Sequence, residues 1–526
     1  MDSQSIEHEE QSAWNQLEFA LNFLHPCSAR IERLKSQLES KLLAAHGEIQ
    51  YTIGLDSKGE SIGLSNASLD LAISNMRLIA EEVKANLQLL SKQSMGNGTV
   101  AQVLIRKSQL QTYIIDIRVA LIGESQSGKS SFIGVVSKGV KENGRGSARN
   151  AILRHMHEKK QGFTASVTQH LVGFDCRGKI IKHNKSWAEL VMKSSKLISF
   201  IDLPGNKKYR STLFYGLISQ CPEYFILMID PSNMNPSNNT EYLSMITALN
   251  IPFMIILSKC DKATSSKVDG TLDYLRGELC KREKILLEVL SPEDVVLYSR
   301  TFLQENIVPV FSISLKTSLN KDLVISFLNL LPSRNNYEEC SSTEFYLEKW
   351  YTRESMVILC GIMIKGKARL GEKLLLGPDL SGKFIPVIVL GIHVKEISVH
   401  SVTAGQFCSF QVNKVQELRR GMVLVDVTSN PMPSLEFECL VWTIDDSINT
   451  RIIKSSYKPL VYTQTITQCV AIVSGPEQVN PHEIMKFKFH FLYHPEYITI
   501  GTKLMIRDTF MTALGTIITV RRIDPP

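Results

Sequence analysis

The run Ile114-Ile115-Asp116-Ile117-Arg118-Val119-Ala120-Leu121-Ile122 leads into Gly123-Glu124-Ser125-Gln126-Ser127-Gly128-Lys129-Ser130-Ser131, and Phe132-Ile133-Gly134-Val135-Val136 follows at once. Apolar run, Gly-containing loop, apolar run: this order predicts a strand, a phosphate-binding loop and a helix. The residue types suit the task. Gly123 and Gly128 let the backbone bend and approach an anion. Successive N–H groups along Glu124, Ser125, Gln126 and Ser127, and the positive end of the helix at Ser130 and Ser131, then face it. Lys129 reaches the terminal phosphates of a nucleoside triphosphate, and Ser130 is placed to ligate Mg2+. A Gly-containing turn with a surface lysine shares some of these letters but lacks the two flanking runs.

Working outward, residues 114–333 alternate short apolar runs with helical periods. This predicts an α/β domain with a mainly parallel sheet and helices on both faces. After the loop, the runs at 197–201, 224–229, 252–257 and 308–313 read as buried parallel strands. Upstream, Trp14, Leu17, Leu21 and Leu24 recur at helical spacing, and His25-Pro26 breaks the pattern. Ile31, Leu34, Leu38, Leu42 and Leu43 continue as a second helix, so residues 1–46 form an N-terminal helical segment. Its apolar stripes suit packing on the rest of the chain better than a partner-binding hairpin. Residues 47–113 read as a small α+β domain. From 343 onward short strands and turn signals dominate, with Asn430-Pro431-Met432-Pro433 as a linker. Two all-β barrels, 343–429 and 433–526, are expected in series.

Composition narrows the class. The chain has 526 residues, 44% of them hydrophobic, and a net charge of +7. That length suits about three or four domains. No apolar stretch approaches the ~18 residues that span a bilayer. The start, Ser5-Ile6-Glu7-His8-Glu9-Glu10, is polar and acidic, unlike a signal or transit peptide. The ten cysteines form no Cys-x-x-Cys pair, which argues against zinc and for free thiols in a reducing compartment. A cytoplasmic protein is expected, with neither membrane nor DNA as a partner. The mild positive charge allows RNA contact without arguing for it. His155 and His157 read as surface or packing residues, and Lys281-Arg282-Glu283-Lys284 as a solvated helix face.

Ligands of such sheets sit at the carboxyl ends of strands. The run at 197–201 ends in Asp202-Leu203-Pro204-Gly205. Asp202 can hold a Mg2+ water, and the Gly205 N–H can meet a γ-phosphate, so the loop after it senses the nucleotide. The run at 252–257 ends in Ser258-Lys259-Cys260-Asp261. The Asp261 carboxylate accepts from guanine N1–H and its 2-amino group, a pair that adenine lacks; leaving that carboxylate unpaired is costly. The Lys259 stem would lie over the base. The run at 308–313 ends in Ser314-Leu315-Lys316, a loop suited to the guanine O6. Between the phosphate loop and Asp202 lies Gly162-Phe163-Thr164, with Thr164 the candidate third Mg2+ ligand. GTP or GDP with Mg2+ is therefore the expected ligand set.

In this arrangement the chain resembles the eukaryotic GTP-binding protein 1/2 family, divergent relatives of elongation factor Tu and elongation factor 1-alpha. The resemblance spans roughly residue 47 to the C-terminus. It is carried by Gly144-Arg145-Gly146-Ser147-Ala148-Arg149, Arg154-His155-Met156-His157-Glu158, Leu171-Val172-Gly173-Phe174-Asp175 and Ile201-Asp202-Leu203-Pro204-Gly205. Later come Leu374-Leu375-Leu376-Gly377-Pro378, Arg420-Gly421-Met422-Val423 and His494-Pro495-Glu496-Tyr497. It implies a P-loop GTPase domain, two β-barrels, cytosolic residence and work with the ribosome, aminoacyl-tRNA or mRNA surveillance factors.

Two departures bear on catalysis. Family members carry Asp where this chain has Gln126, and His where it has Asn206. The resemblance implies that this His orients the attacking water and that the Asp helps neutralise transition-state charge. Losing such functions costs ~10²–10³-fold each. Gln126 and Asn206 thus predict a GTPase that binds Mg2+-GTP but hydrolyses slowly. The alternative is a guanine-nucleotide-binding regulator or scaffold that does not hydrolyse. An ATPase of another P-loop class would not need Asp261.

Overall fold

The computed structural model describes residues 28–45, 47–54, 63–95, 98–108, 115–181, 186–304, 306–334, 342–443, 451–453, 457–479, 483–507 and 512–522. The helix expected around Trp14, Leu17, Leu21 and Leu24 lies outside them.

The chain begins with α1 (Ser28–Ala44), β1 (Glu48–Ile53), α2 (Asn66–Glu82), β2 (Ala85–Met95) and β3 (Gly98–Lys107). The three strands form one antiparallel sheet in the order β1-β3-β2. So small a sheet gains its stability from an apolar face packed against helices. Leu34, Leu38 and Leu42 of α1 cover it together with Leu69 and Met76 of α2, all buried in one core with Tyr51 and Val103. The sequence reading divides the chain at residue 46; the packing runs across that point.

The α/β unit holds β4 (Ile115–Ile122), α3 (Lys129–Lys138), α4 (Ser147–Asn150), α5 (Met156–Gln161), β5 (Thr168–Phe174), α6 (Trp187–Lys193), β6 (Lys196–Asp202) and α7 (Arg210–Ser219). It continues with β7 (Tyr224–Ile229), α8 (Pro236–Leu249), β8 (Phe253–Leu257), α9 (Ser265–Cys280), β9 (Ile285–Glu288), α10 (Pro292–Thr301), β10 (Ile307–Ser312) and α11 (Lys321–Leu330). The sheet order is β5-β6-β4-β7-β8-β10-β9, parallel except for β5. All of β7 and β8 is buried, as strands covered on both faces must be. The edge strands β5 and β9 escape the sequence reading: Thr168, Gln169 and His170 interrupt the apolar signal in β5, and β9 is short. Helix α9 stops at Cys280, so Lys281-Arg282-Glu283-Lys284 is a turn and not the helix face expected of it. Arg282 folds back onto Glu278 at 2.8 Å and Ser244 at 2.8 Å.

The all-β part contains two closed barrels. The first comprises β11 (Glu344–Thr352), β12 (Met356–Lys365), β14 (Lys373–Gly377), β15 (Ile385–Val394), β18 (Phe407–Asn413) and β19 (Val423–Asp426), with the short β13 (Lys367–Arg369), β16 (Ile397–Ser398) and β17 (Ser401–Thr403) beside it. Pairing of β14 with β15 closes the ring. The second closes through β20 (Ser434–Thr443), β22 (Leu460–Thr463), β23 (Ile466–Ser474), β25 (Ile484–Phe491), β26 (Lys503–Arg507) and β27 (Thr512–Arg522), with the short pair β21 (Arg451–Ile452) and β24 (Gln478–Val479) apart. Closure leaves these strands without an open edge. No helix among the described residues is long and apolar enough to cross a membrane.

Two junctions tie the units together. Tyr462, Met505 and Leu514 of the second barrel share one buried cluster with Phe214 and Leu217 of α7. At the other end, Glu48 of β1 meets Arg106 at 3.0 Å and Lys196 at 3.2 Å. Both cations are fully buried, and both also donate to the carbonyl of Asn329.

Candidate guanine-nucleotide site

The phosphate loop connects the buried end of β4 to α3. Gly123 has φ +141°, and a Cβ there would lie 2.3 Å from the Met228 carbonyl oxygen, so only glycine fits. Gln126 takes a positive φ of 65°. Lys129 is buried and donates to the carbonyls of Gly123 at 2.8 Å and Glu124 at 2.7 Å. Burial lowers its pKa to about 8, against the opposing pull of Asp202 and Glu124. The ammonium is thus held over the centre of the loop, where an anion would relieve its desolvation.

Ser130, Thr164 and Asp202 converge. The Ser130 hydroxyl donates to Asp202 Oδ2 at 2.7 Å, the Thr164 hydroxyl reaches the same oxygen at 3.1 Å, and the two hydroxyl oxygens are 2.8 Å apart. Asp202 is buried and its Oδ1 has no partner among the described residues. Burial raises its pKa above the ordinary value, against the donors Ser130 and Thr164 and the charge of Lys129. Two hydroxyls and a carboxylate with an orphaned oxygen form an all-oxygen donor set suited to Mg2+. The residues present fit that ion.

Thr164 is held from below by a residue that the strand-end argument passes over. Glu158 is fully buried. Its Oε1 accepts from the Ala165 N–H at 2.8 Å, the Ser166 N–H at 3.1 Å and the Ser166 hydroxyl at 3.0 Å. Burial pushes its pKa up, but these donors outweigh that and leave it below the ordinary value.

The base loops close the other side. Ser258 donates to the Ser127 carbonyl at 2.6 Å. Lys259 donates to the Gln126 carbonyl at 2.6 Å and pairs with Asp230 at 2.7 Å. Asp230 is a second residue missed from sequence; it follows β7, and strand-end position was the available signal. Asp261 accepts from the Ser314 hydroxyl at 2.7 Å, which joins the two base loops.

Together these elements enclose a cavity of about 380 Å³. Its lining includes Ser125, Gln126, Gly128, Lys129, Ser130, Ser131, Thr164, Gly205, Ser258, Lys259, Asp261, Leu315 and Lys316. Gly123, Glu124, Ser127, Asp202, Ser314 and Asn206 do not line it. Asn206 turns away: its side-chain oxygen accepts from the Lys208 N–H at 3.0 Å and caps a short helical turn. Glu124 instead hydrogen-bonds Asn238 of α8. Gly205 is packed so tightly that a Cβ would lie 2.4 Å from Lys129 Nζ. The cavity also takes in Glu142, Gly146, Arg149 and Gly162 from the segment between α3 and β5. The rings of His155 and His157 stack with centroids 5.3 Å apart. Among the described residues no group of three or more His, Cys, Asp or Glu is placed to hold a metal ion.

This fold and loop order define a GTP-binding domain of the elongation factor Tu type, and residues 116–337 match the family model described as the elongation factor Tu GTP binding domain. The chain is 32% identical over 506 residues to GTP-binding protein 1 of Xenopus laevis, covering 94% of this chain and 77% of that one. It is 29% identical to GTP-binding protein 2 of Mus musculus, covering 96% and 87%. It belongs to the GTP-binding protein 1/2 family. Among solved structures, the GTPase-like domain of Ski7 from S. cerevisiae, bound to GTP, superposes with a TM-score of 0.57 at 12% identity, covering 77% of this chain and 97% of that one. Translation elongation factor SelB of Methanococcus maripaludis, in complex with GppNHp, gives 0.54 at 14% identity, covering 78% and 80%. At these identities the likeness concerns the fold.

Proposed function

We propose that the chain is a slow GTPase that works as a Mg2+-GTP-dependent switch in a translational setting, with the ribosome, aminoacyl-tRNA or mRNA surveillance factors as partners. The observation that carries the reading is the convergence of Ser130, Thr164 and Asp202 beside Lys129. Lys129 and the loop N–H groups hold the phosphates. Asp261, buttressed by Ser314, accepts from the guanine edge. Thr164 rides on the Glu158 anchor, so its loop sits ready to order around the terminal phosphate. Mg2+, when bound, would neutralise phosphate charge and be held by Ser130, Thr164 and Asp202. Slow hydrolysis is supported by Asn206, whose carboxamide is spent on a local cap rather than on a water in the cavity.

The output side of the switch is α7. It starts soon after the Asn206 loop and shares an apolar core with the second barrel, so a change at Gly205 is passed on to β22, β26 and β27. The ribosome and tRNA part follows the family resemblance, and it is supported by the fold shared with a translation elongation factor, SelB. The same reading divides the chain into an N-terminal α+β unit, the GTP domain of 114–333 and barrels at 343–429 and 433–526.

The test is GTP turnover by the full chain with and without ribosomes, beside Asn206→His. Slow basal turnover that rises with Asn206→His supports the reading. Brisk wild-type turnover would mean that another residue positions the water. No turnover in either protein, with GTP binding intact, favours the non-hydrolysing regulator.

A further inference from the structure

The segment between α3 and β5 brings two arginines, Arg145 and Arg149, to the nucleotide cavity, and the switch reading leaves both unused; Arg149 is the one whose side chain is anchored. Helix α4 sits directly on α3. A Cβ on Gly134 would lie 2.2 Å from the Ala148 carbonyl oxygen, and Ala148 itself is fully buried. This contact fixes the backbone one residue before Arg149. The side chain of Arg149 then crosses two glycines. A Cβ on Gly146 would meet Nη2 at 2.6 Å, and one on Gly162 would meet it at 3.1 Å. Nη1 donates to the Gly162 carbonyl at 2.7 Å. Nε is buried and has no partner among the described residues. Arg149 lines the same cavity as Lys129, Ser130, Thr164 and Gly205. The surrounding loop is itself braced: Glu142 Oε1 accepts from the N–H groups of Gly144 and Gly146, each at 2.9 Å. A buried donor with no acceptor is costly, so the guanidinium gains from any small shift that brings its remaining N–H groups to an anion.

We propose that Arg149 is a catalytic residue supplied in cis, whose free guanidinium N–H groups meet the γ-phosphate of GTP as charge develops there. The inference rests on the GTPase reading above. In the step, the oxygen of a water forms a bond to the γ-phosphorus and the bond from phosphorus to the β,γ-bridging oxygen breaks. The electron pair leaves on that oxygen as GDP, and the water proton passes to the phosphate product and solvent. Nothing is oxidised or reduced. A planar fork with a fixed Nη1 anchor stabilises this charge without reorganising. It supplies positive charge to a site where Gln126 and Asn206 carry none.

Arg149→Ala and Arg149→Lys are compared with the wild-type full chain in three measurements: single-turnover GTP hydrolysis, GDP affinity, and trapping of GDP with aluminium fluoride, which mimics the transferring phosphoryl group. Arg149→Ala is expected to slow hydrolysis about 10³-fold and to abolish trapping, with GDP affinity unchanged. Arg149→Lys keeps a cation but not the fork, and is expected to recover little of either. Wild-type hydrolysis with equal rates and trapping in both variants overturns this inference alone. Parallel loss of GDP affinity, or of the fold in both variants, also overturns it, because Arg149 is then a brace for Gly162. A wild type that neither hydrolyses GTP nor traps the fluoride complex overturns both this inference and the GTPase reading.

Discussion

Ser258 Oγ lies 2.6 Å from the carbonyl oxygen of Ser127, so the base-recognition loop is tied directly to the phosphate loop. The serine is shorter than the asparagine common at this position in GTPases, yet it makes the crossing because Gly128 brings the loop to within 3.5 Å (from an added Cβ) of Ser258 Oγ. Ser258→Ala removes one buried hydrogen bond and leaves the Ser127 carbonyl without that donor. A loss of about 1–2 kcal/mol is expected, read as roughly tenfold weaker GDP binding by fluorescence titration.

Asp261 is held by Ser314 and lines the cavity. On the proposed reading, Asp261→Asn replaces an acceptor of two guanine N–H groups with a group that offers one acceptor and a competing donor. GTP affinity is expected to fall by about 10²-fold or more, because polar groups of site and base are left unpaired. Competition between GTP and ATP measures it; an unchanged preference for guanine would place base recognition elsewhere.

The pH dependence of binding follows from Lys129. Its pKa is lowered to about 8, chiefly by burial. Bound phosphate favours the protonated ammonium and raises that value. GDP affinity is therefore expected to be flat below about pH 8 and to fall as pH rises beyond it, up to tenfold per unit. Calorimetry in buffers of different ionisation enthalpy should show proton uptake on binding near pH 8. Release of protons would contradict this account.

Glu158→Gln weakens the anchor under Thr164 by exchanging charge-assisted hydrogen bonds for neutral ones. A stability loss of about 1–3 kcal/mol is expected, seen as a lower midpoint in urea unfolding. Because the folded pKa of Glu158 is depressed, its contribution is full above the unfolded carboxylate value and is lost as pH falls through the folded one. The variant and the wild type should therefore converge in acid.

The strand-ends rule located most of the nucleotide cavity, because parallel strands announce themselves as unbroken apolar runs and their next residues must face the ligand. Gly205, Ser258 and Asp261 were legible for that reason, and Lys129 and Ser130 from the loop motif; all five line the cavity. Arg149 and Glu158 were not, although both stand in the stretches that carry the family resemblance. They lie in a connection with no strong period; Arg149 is placed by close approaches at Gly134, Gly146 and Gly162 that a sequence does not display, and Glu158 by hydrogen bonds to the backbone of Ala165 and Ser166. Asn206 illustrates the converse: its position after Gly205 was evident, its rotation onto the Lys208 N–H was not. The edge strand β5 was hidden by its own polar residues, and the end of α9 by a charge run that continues the helix in composition but not in backbone.

The Glu48 junction has a consequence for how the protein can be taken apart. Lys196 and Arg106 are fully buried, and Glu48 is their shared carboxylate. A fragment starting at residue 114 would keep Lys196 and lose its counter-charge, at a cost of about 3–5 kcal/mol for a broken buried pair. Strand β6 begins at Lys196 and ends at Asp202, so that loss falls on the strand that reaches the Ser130 and Thr164 hydroxyls. The phosphate-loop domain is thus not a module that can be excised at its own first strand. The smallest piece that keeps its charges balanced starts before β1.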